Sequence, residues 1–564
     1  MSTAPRPTLP DLLELRAAEP ERAALARPDG TVLTYGAWQG RAAAVAGGLR
    51  DRGTGRGDRV GLLFGDHDWL DYAVAFFGVL RAGAVAVPLS PRWASGQLRD
   101  VMAGASVSLV IGGEDRGRPA VGLGELAAGR GAPNLARPED LAQILYTSGT
   151  TGRSRGVGAT HANLAYEPAA YLADGRRSLA HSRHFLHAFP ICGNAGQTTL
   201  AATLATDAVG LVAGRFDPEG FGALISAYRV GTVFAVPAMA IALLAERIPD
   251  RHDLSSVQMF GSTGAALPPA VALELAEALP GAVIVNTYSS TESAPARTSM
   301  VFDPARPAAV GRAVAGTPVR ITDEAGTPLP SGAVGRVWLR SPVPRSYVDR
   351  PAAGVFEDGW VRMGDLGLLD DGLLYLVDRE PDLIESGGLT VSTLEVEAAL
   401  HEHPDVIEAA VLGVPHPDLG RAVAAAVVTR SATMPADLRA ALAARLGAHE
   451  IPTRWARLDR LPRNDSGKMV KGDLLPLFPD EGRAPPAART EVVLAGLWQT
   501  VLGIRGARPD DGFLDLGGDS LRALHLSRLT TEAFGVRMPV SVIFERPLFA
   551  DQVRWVDDQA GRTG

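Results

Sequence analysis

The chain has one cysteine, Cys192, in 564 residues, which excludes an intramolecular disulfide and a cysteine-rich zinc site and suits a reducing cytoplasm. It has no excess of positive charge. The 55 basic and 63 acidic residues give a net charge of -8 with the two signs interspersed, so no basic stripe is offered to a nucleic-acid backbone. No export signal is visible, because the opening stretch MSTAPRPTLPDLLELRAAEP carries acidic residues where a signal peptide needs a basic and then an apolar segment. The longest apolar run, Tyr72 to Leu89, is interrupted by Gly78, Arg81, Gly83 and Pro88. It is expected to form a buried helix followed by a strand, not a membrane span. The histidines lack metal-ligand spacing, and no internal repeat is found. These absences point to a cytoplasmic protein without nucleic-acid or membrane partners.

What is present is an ordinary globular composition, 46% hydrophobic and 21% charged, long enough for three or four units at about 150 residues each. From about residue 30 to 375, short β-branched runs alternate with Ala/Leu-rich helical stretches, as in VFAVPAM (233 to 239) followed by AIALLAERI, which predicts an α/β architecture. A smaller α+β pattern follows, in which VIEAAVLGV (406 to 414) reads as a strand. PDEGRAPPAAR (479 to 489) has no periodic apolar face and reads as a linker. Beyond it Val493, Leu494, Leu497, Trp498, Val501 and Leu502 recur at helical spacing and open a small helical unit.

LAQILYTSGTTGRSRGV (141 to 157) reads as a strand running into a loop packed with Gly, Ser and Thr. Glycines let a backbone approach a phosphate, and hydroxyls with backbone N–H groups donate to its oxygens. The spacing is not that of a P-loop NTPase. By composition alone, a structural loop serves as well as a nucleotide site.

The segment YTSGTTGRSRGV resembles the signature loop of the adenylate-forming superfamily, which takes in acyl-CoA synthetases, luciferases and peptide-synthetase adenylation domains. Further segments resemble that family's motifs in its order: GSTGAAL (261 to 267), NTYSSTES (286 to 293), RMGDLG (362 to 367), DREPDLIESGG (378 to 388) and LPRNDSGK (461 to 468). The likeness covers roughly residues 30 to 475. It implies an α/β large adenylating N-terminal subdomain over 1–377, a hinge at 378–382 and a small α+β C-terminal subdomain over 383–478, followed by a linker at 479–488.

The activity implied is attack of a carboxylate on the α-phosphorus of ATP. Two anions meet there, so the site must supply positive charge. The resemblance assigns ATP contacts to Thr147, Ser148, Gly149, Thr150, Thr151, Gly152, Arg155, Gly264, Ala265, Tyr288, Ser289, Asp365 and Arg379. In these terms Tyr288 offers a stacking face for adenine, and Asp365 accepts from the ribose hydroxyls. Glu292, beside Thr291, is the implied Mg2+ ligand, since Mg2+ prefers hard oxygen donors shared with phosphate. Lys468 bridges the carboxylate and α-phosphate, and Lys468, Glu292 and Thr291 form the implied catalytic set.

DGFLDLGGDSLRALHL (511 to 526) resembles the attachment motif of acyl and peptidyl carrier domains, a likeness extending over about 489–557 and implying an all-α four-helix fold. Asp519 is placed to cap a helix that starts at Ser520, and the helix dipole favours a phosphodiester at that end. The implied cofactor is 4′-phosphopantetheine on Ser520, installed by a phosphopantetheinyl transferase. The ten-residue linker, 479 to 488, spans about 35 Å at most. Such a tether gives effective concentrations on the order of millimolar, favouring loading in cis over free coenzyme A. With no further catalytic region visible, downstream biosynthetic enzymes of specialised metabolism are expected to take the thioester.

The chain departs from the family in several places. Ser154-Arg155 replaces Pro-Lys, Ser289 replaces glycine, Met363 replaces threonine, and Pro381 stands at the pivot beside Asp382. Amino-acid-activating relatives carry an Asp for the α-ammonium, but HFLHAFPICGNAGQTTLAATLAT (184 to 206) has no carboxylate. A non-amino acid is therefore expected, with Pro190, Cys192, Asn194, Gln197 and Ser262 as pocket residues. Competing expectations are an acyl-CoA synthetase using free coenzyme A, an amino-acid-loading didomain, and a non-catalytic carrier platform charged in trans. Proline fixes φ near -65° and removes an N–H. Pro381→Gly should therefore change thioester formation more than pyrophosphate release; equal effects on the two half-reactions would remove the hinge role.

Overall fold

The computed structural model describes residues 6–113, 118–147, 155–314, 316–348, 354–417, 419–431, 433, 435–464, 467–479, 486–502, 504 and 507–560. The chain divides into two compact units. One comprises Met1–Ile384, Leu389–Gly413 and Val423–Leu474, and the other Glu385–Gly388, Val414–Ala422 and Leu475–Gly564.

The first unit is built on two large sheets. At the centre of the larger one, His184–His187, Thr232–Ala235, Met259–Thr263 and Val283–Tyr288 run parallel. Their cores are short apolar runs such as Thr232–Ala235, which helices such as Pro237–Ala245 cover, as a parallel sheet buried on its faces requires. The sheet then turns antiparallel through Thr298–Val301 and Ala309–Ala313 to Leu373–Arg379 and Trp360–Asp370. That route carries Asp365 and Arg379 into the same sheet as Tyr288.

In the second sheet, of seven strands, Leu141–Thr147 pairs with Arg155–Thr160, which in turn pairs with Ser346–Tyr347. The segment read as strand and loop is thus a hairpin with Thr147 opposite Arg155 at its base. The apolar run beginning near Tyr72 forms the helix Trp69–Arg81 and the strand Val85–Leu89. All but one residue of that helix are buried, which is why it is apolar on every side. Among the described residues no helix is long and apolar enough to cross a membrane.

The smaller α+β element has its own core, in which Ile384, Val396, Leu400, Val411, Val423, Ala425 and Leu442 pack together. Its helix Thr393–His401 is capped by Ser392, whose side chain accepts from the Glu395 N–H at 3.1 Å. The strand Val406–His416 falls where the sequence places it.

In the second unit the helices Pro486–Leu502, Ser520–Phe534, Val540–Glu545 and Phe549–Ala560 enclose a core centred on Trp498. Its ring meets Phe513 and Phe549 edge-on at 5.4 and 5.2 Å, and its N–H donates to the Gln552 Oε1 at 3.1 Å. The helical spacing of Leu494, Trp498 and Val501 is the spacing of buried positions. Trp498→Ala should cost this bundle about 3–5 kcal/mol and orphan the Gln552 oxygen. Hydrogen exchange on the full chain should then show protection lost over 490–556 and retained in the large sheets.

Candidate functional site

After Val283–Tyr288 the chain enters a turn that Ser290 and Ser293 tie reciprocally. The Ser290 N–H donates to the Ser293 Oγ at 3.0 Å, and the Ser293 N–H to the Ser290 Oγ at 3.1 Å. Thr291 and Glu292 are presented between them. Arg345 holds this turn from beneath. It is 7% exposed, and its guanidinium donates to Asn163 Oδ1 at 2.9 Å, Asn194 Oδ1 at 2.9 Å and the Thr291 carbonyl at 3.0 Å. All three partners are neutral, and burial lowers the Arg345 pKa to about 10 against the raising influence of Glu292.

Two residues on, the Tyr347 hydroxyl donates to Glu292 Oε1 at 3.2 Å, and Arg155 lies over its ring at 5.4 Å from the centroid. Burial and then Glu292 push the phenol up to about 12, while a hydrogen bond with Arg155 pulls it down. Arg155, the first residue of the return strand, is thereby linked to Glu292. Ser148, Gly149, Thr150, Thr151 and Gly152 lie outside the described residues, whereas Thr147 ends its strand opposite Arg155.

A second cluster forms where the larger sheet ends. Asp365 and Arg379 are cross-strand partners, with Arg379 Nε 3.5 Å from Asp365 Oδ1. The Tyr288 hydroxyl donates to Asp365 Oδ2. The tyrosine read as an adenine platform is therefore also anchored to the carboxylate read as the ribose acceptor. Burial raises the Asp365 pKa, and Tyr288, Arg379 and Lys468 oppose the rise.

Lys468 sits on a tight loop in which its N–H donates to Asn464 Oδ1 at 3.0 Å and the Asn464 N–H to its carbonyl at 2.9 Å. Desolvation and then the Arg379 cation hold its ammonium below the usual lysine value, while Glu292 and Asp365 act in the opposite sense. By surface area Lys468 is nonetheless exposed. Gly264, at φ +89, lies beside it: a Cβ there would stand 4.0 Å from the Lys468 Cε. Ala265 follows as an exposed residue, and Ser289 is half-buried just after Tyr288.

The proposed pivot is a turn in which the Arg379 carbonyl accepts from the N–H groups of Asp382 and Leu383 at 2.9 and 3.3 Å, with Pro381 between. Just before it, Asp378 is 1% exposed and accepts from both the N–H and the hydroxyl of Thr393. Lys471 reaches the same Thr393 hydroxyl at 2.7 Å and pairs with Glu397 at 2.8 Å.

The expected pocket residues divide. Asn194 turns its oxygen to Arg345. Gln197 is 6% exposed and spends its amide in the core, accepting from the Tyr72 hydroxyl at 2.9 Å and Gln143 Nε2 at 2.8 Å and donating to the Ile191 carbonyl. Ser262 is 1% exposed, lies in register with Ala235 and Asn286, and its hydroxyl has no hydrogen-bond partner. Cys192 and Pro190 are half-buried, and Cys192 lies near enough to Tyr72 to contribute to its raised pKa. Asn163, Arg345 and Tyr347 were not read from the sequence. The alternation that sends Arg345 and Tyr347 to one side of an extended segment was the one available signal.

Among the described residues no three acidic, histidine or cysteine side chains gather around a common metal position. One carboxylate with an uncommitted oxygen fits Mg2+ that is held chiefly by phosphate. Around Glu292 and Asp365 stand Arg155, Arg345, Arg379 and Lys468, a charge set suited to a polyphosphate approached by a carboxylate.

In the second unit Asp519 accepts from the Arg522 N–H at 2.8 Å and caps the helix Ser520–Phe534, so Ser520 is exposed at its first turn. Gly518 packs so closely on Phe513 that a Cβ would collide with the ring.

Comparison with known proteins agrees with this arrangement. Residues 13–348 match the AMP-binding enzyme family, 395–468 the AMP-binding enzyme C-terminal domain, and 492–556 the phosphopantetheine attachment site. The chain is 34% identical to a feruloyl-CoA synthase of an Amycolatopsis species over 81% of its own length and 96% of the relative's. It is 30% identical to the phosphinothricin tripeptide synthetase PhsB of Streptomyces viridochromogenes, over 96% of this chain and 49% of that one. Among solved structures, ATP-bound MatB from Rhodopseudomonas palustris superposes with a TM-score of 0.76 at 29% identity, covering 84% of this chain and 98% of that one. The chain belongs to the AMP-binding enzymes, as an adenylate-forming acid–thiol ligase that carries a phosphopantetheine attachment domain in the same polypeptide.

Proposed function

We propose that this enzyme activates a carboxylic acid lacking an α-ammonium group as its acyl-adenylate and transfers the acyl group to the phosphopantetheine thiol on its own Ser520, for use in specialised-metabolite biosynthesis. The observation that carries the reading is the gathering of Lys468 with Asp365, Arg379 and Glu292, in a chain that also presents Ser520 at a capped helix start. The substrate carboxylate attacks the α-phosphorus, pyrophosphate leaves, and the thiol later attacks the acyl carbon to release AMP. Lys468 places its ammonium between the two anions, Asp365 and Tyr288 hold the nucleoside, and Arg155 with Thr147 meets the phosphates. Mg2+, bound with ATP, would neutralise phosphate charge beside Glu292. The neutral donors at Asn194 and Ser262, and the lack of a carboxylate over 184–206, support an acid without an ammonium. The relatives that act as CoA ligases favour one second reading, transfer to free coenzyme A.

The test supplies the phosphopantetheinylated protein with ATP, Mg2+, coenzyme A and a pool of acids, followed by intact-protein mass. An acyl adduct on Ser520 that is lost in Lys468→Ala, with the phosphopantetheine mass still present, is the expected result. Product on coenzyme A with an uncharged Ser520 would support the second reading, and an adduct unchanged in Lys468→Ala would sink catalysis in cis.

The Asp378–Thr393 bonds span the pivot, so they hold the arrangement in which Lys468 faces Glu292 and must open when the smaller subdomain rotates for thiol attack. Thr393→Val should slow ATP–pyrophosphate exchange several-fold while leaving thioester formation from preformed adenylate as fast as before or faster. Equal slowing of both steps would argue against a latch.

A further inference from the structure

Glu292 is the residue on which the reading above hangs its metal, yet a lone carboxylate beside two arginines has an easier fate, which is to pair with one of them. What prevents this is the segment 345–347. Its strand Ser346–Tyr347 is bonded in register to the strand returning from the phosphate hairpin, Tyr347 opposite Val157 and Ser346 opposite Gly158, and the Val348 N–H donates to the Gly156 carbonyl at 3.0 Å. From this fixed backbone Arg345 reaches the Thr291 carbonyl, the buried Asn163 and the half-buried Asn194, committing its guanidinium to neutral acceptors. Tyr347, two residues on, puts its hydroxyl on Glu292 and its ring beneath Arg155.

Among the described residues Tyr347 is the sole hydrogen-bond donor to the Glu292 side chain, and no arginine or lysine comes within ion-pair distance of it. The phenol fixes one carboxylate oxygen without neutralising the charge, and the same side chain also engages Arg155, through its ring face and its hydroxyl. A direct pair would commit both groups to each other, when one is needed for phosphate and the other for a divalent cation.

We propose that Tyr347 is a positioning residue that keeps the Glu292 carboxylate oriented and apart from Arg155, so that the site binds ATP together with its divalent cation. Without the hydroxyl, Glu292 is free to close onto Arg155. The inference rests on the reading of Glu292 as the Mg2+ ligand.

Tyr347→Phe keeps the ring, its edge contact with Phe356 at 5.1 Å and its face toward Arg155, and removes the hydroxyl with its interactions with Glu292 and Arg155. The measurement is ATP affinity by titration calorimetry on the full chain, with Mg2+ and again with EDTA, alongside the melting temperature. In wild type the ratio of the two affinities reports the cation's share of binding, and Glu292→Gln should abolish it. Tyr347→Phe should lower the ratio at least fivefold, leave affinity in EDTA within twofold and leave melting unchanged. A wild-type ratio in Tyr347→Phe, with the ratio abolished in Glu292→Gln, overturns the positioning role alone. A wild-type ratio in Glu292→Gln overturns the metal assignment and this proposal with it. A lowered ratio that comes with weakened EDTA binding and an early melt would mark Tyr347 as structural and also overturn it.

Discussion

Strand Leu373–Arg379 returns along Trp360–Asp370 with Arg379 opposite Asp365, and the charge balance of the site is arranged around that pair. The reaction brings an acid anion against a polyphosphate, so cations must be assembled before either anion arrives. At an effective dielectric near 20, two like charges about 4 Å apart repel by about 4 kcal/mol. Desolvation and then Arg379 act on Lys468 in this sense, holding its ammonium pKa down. Asp365 faces both cations and is anchored by the Tyr288 hydroxyl. It lets the two stand together, and its raised pKa reflects the burial this position demands.

The other half of the site meets the same constraint differently. Arg345 is buried with neutral partners, and Arg155 lies over the Tyr347 ring while the Tyr347 hydroxyl bonds Glu292. One side thus stabilises its cations with a carboxylate, and the other keeps cation and carboxylate apart. The difference suits the roles proposed for them, Asp365 accepting from neutral hydroxyls and Glu292 keeping its charge for a metal. Tyr288, Asp365 and Arg379 lie on the larger sheet and Arg155 and Tyr347 on the seven-stranded one, with Glu292 on the turn that follows Val283–Tyr288.

Much of this was legible because the family's signals are local. The Asp519 cap at Ser520, the strand Val406–His416 and the helix positions of Leu494 and Trp498 each depend on neighbours within a few residues, and the structure has them where the sequence places them. Arg345, Tyr347 and Asn163 were not legible, since the hydrogen bonds that join them to one another and to the Thr291–Glu292 turn reach across 54 to 182 residues and no spacing rule reports that. Gln197 shows the same limit from the other side. It follows Asn194 by three residues on one helix, but Gly196 between them packs against Trp69 and turns the Gln197 amide into the core, while Asn194 stays at the site. Helical spacing gives the face a residue shares, not what covers that face.

The pivot shows why bond number matters more than bond strength here. Asp378 is buried and accepts two hydrogen bonds from Thr393, and bonds to a charged group contribute roughly 1.5–3 kcal/mol each. The Lys471–Glu397 pair lies wholly on the small-subdomain side of the pivot, so rotation can leave it intact. A rotating subdomain would therefore give up a few kcal/mol of directed bonding while carrying its own half-buried ion pair along. That scale is low enough for alternation within a catalytic cycle, yet large enough to favour the arrangement with Lys468 inward until the adenylate has formed.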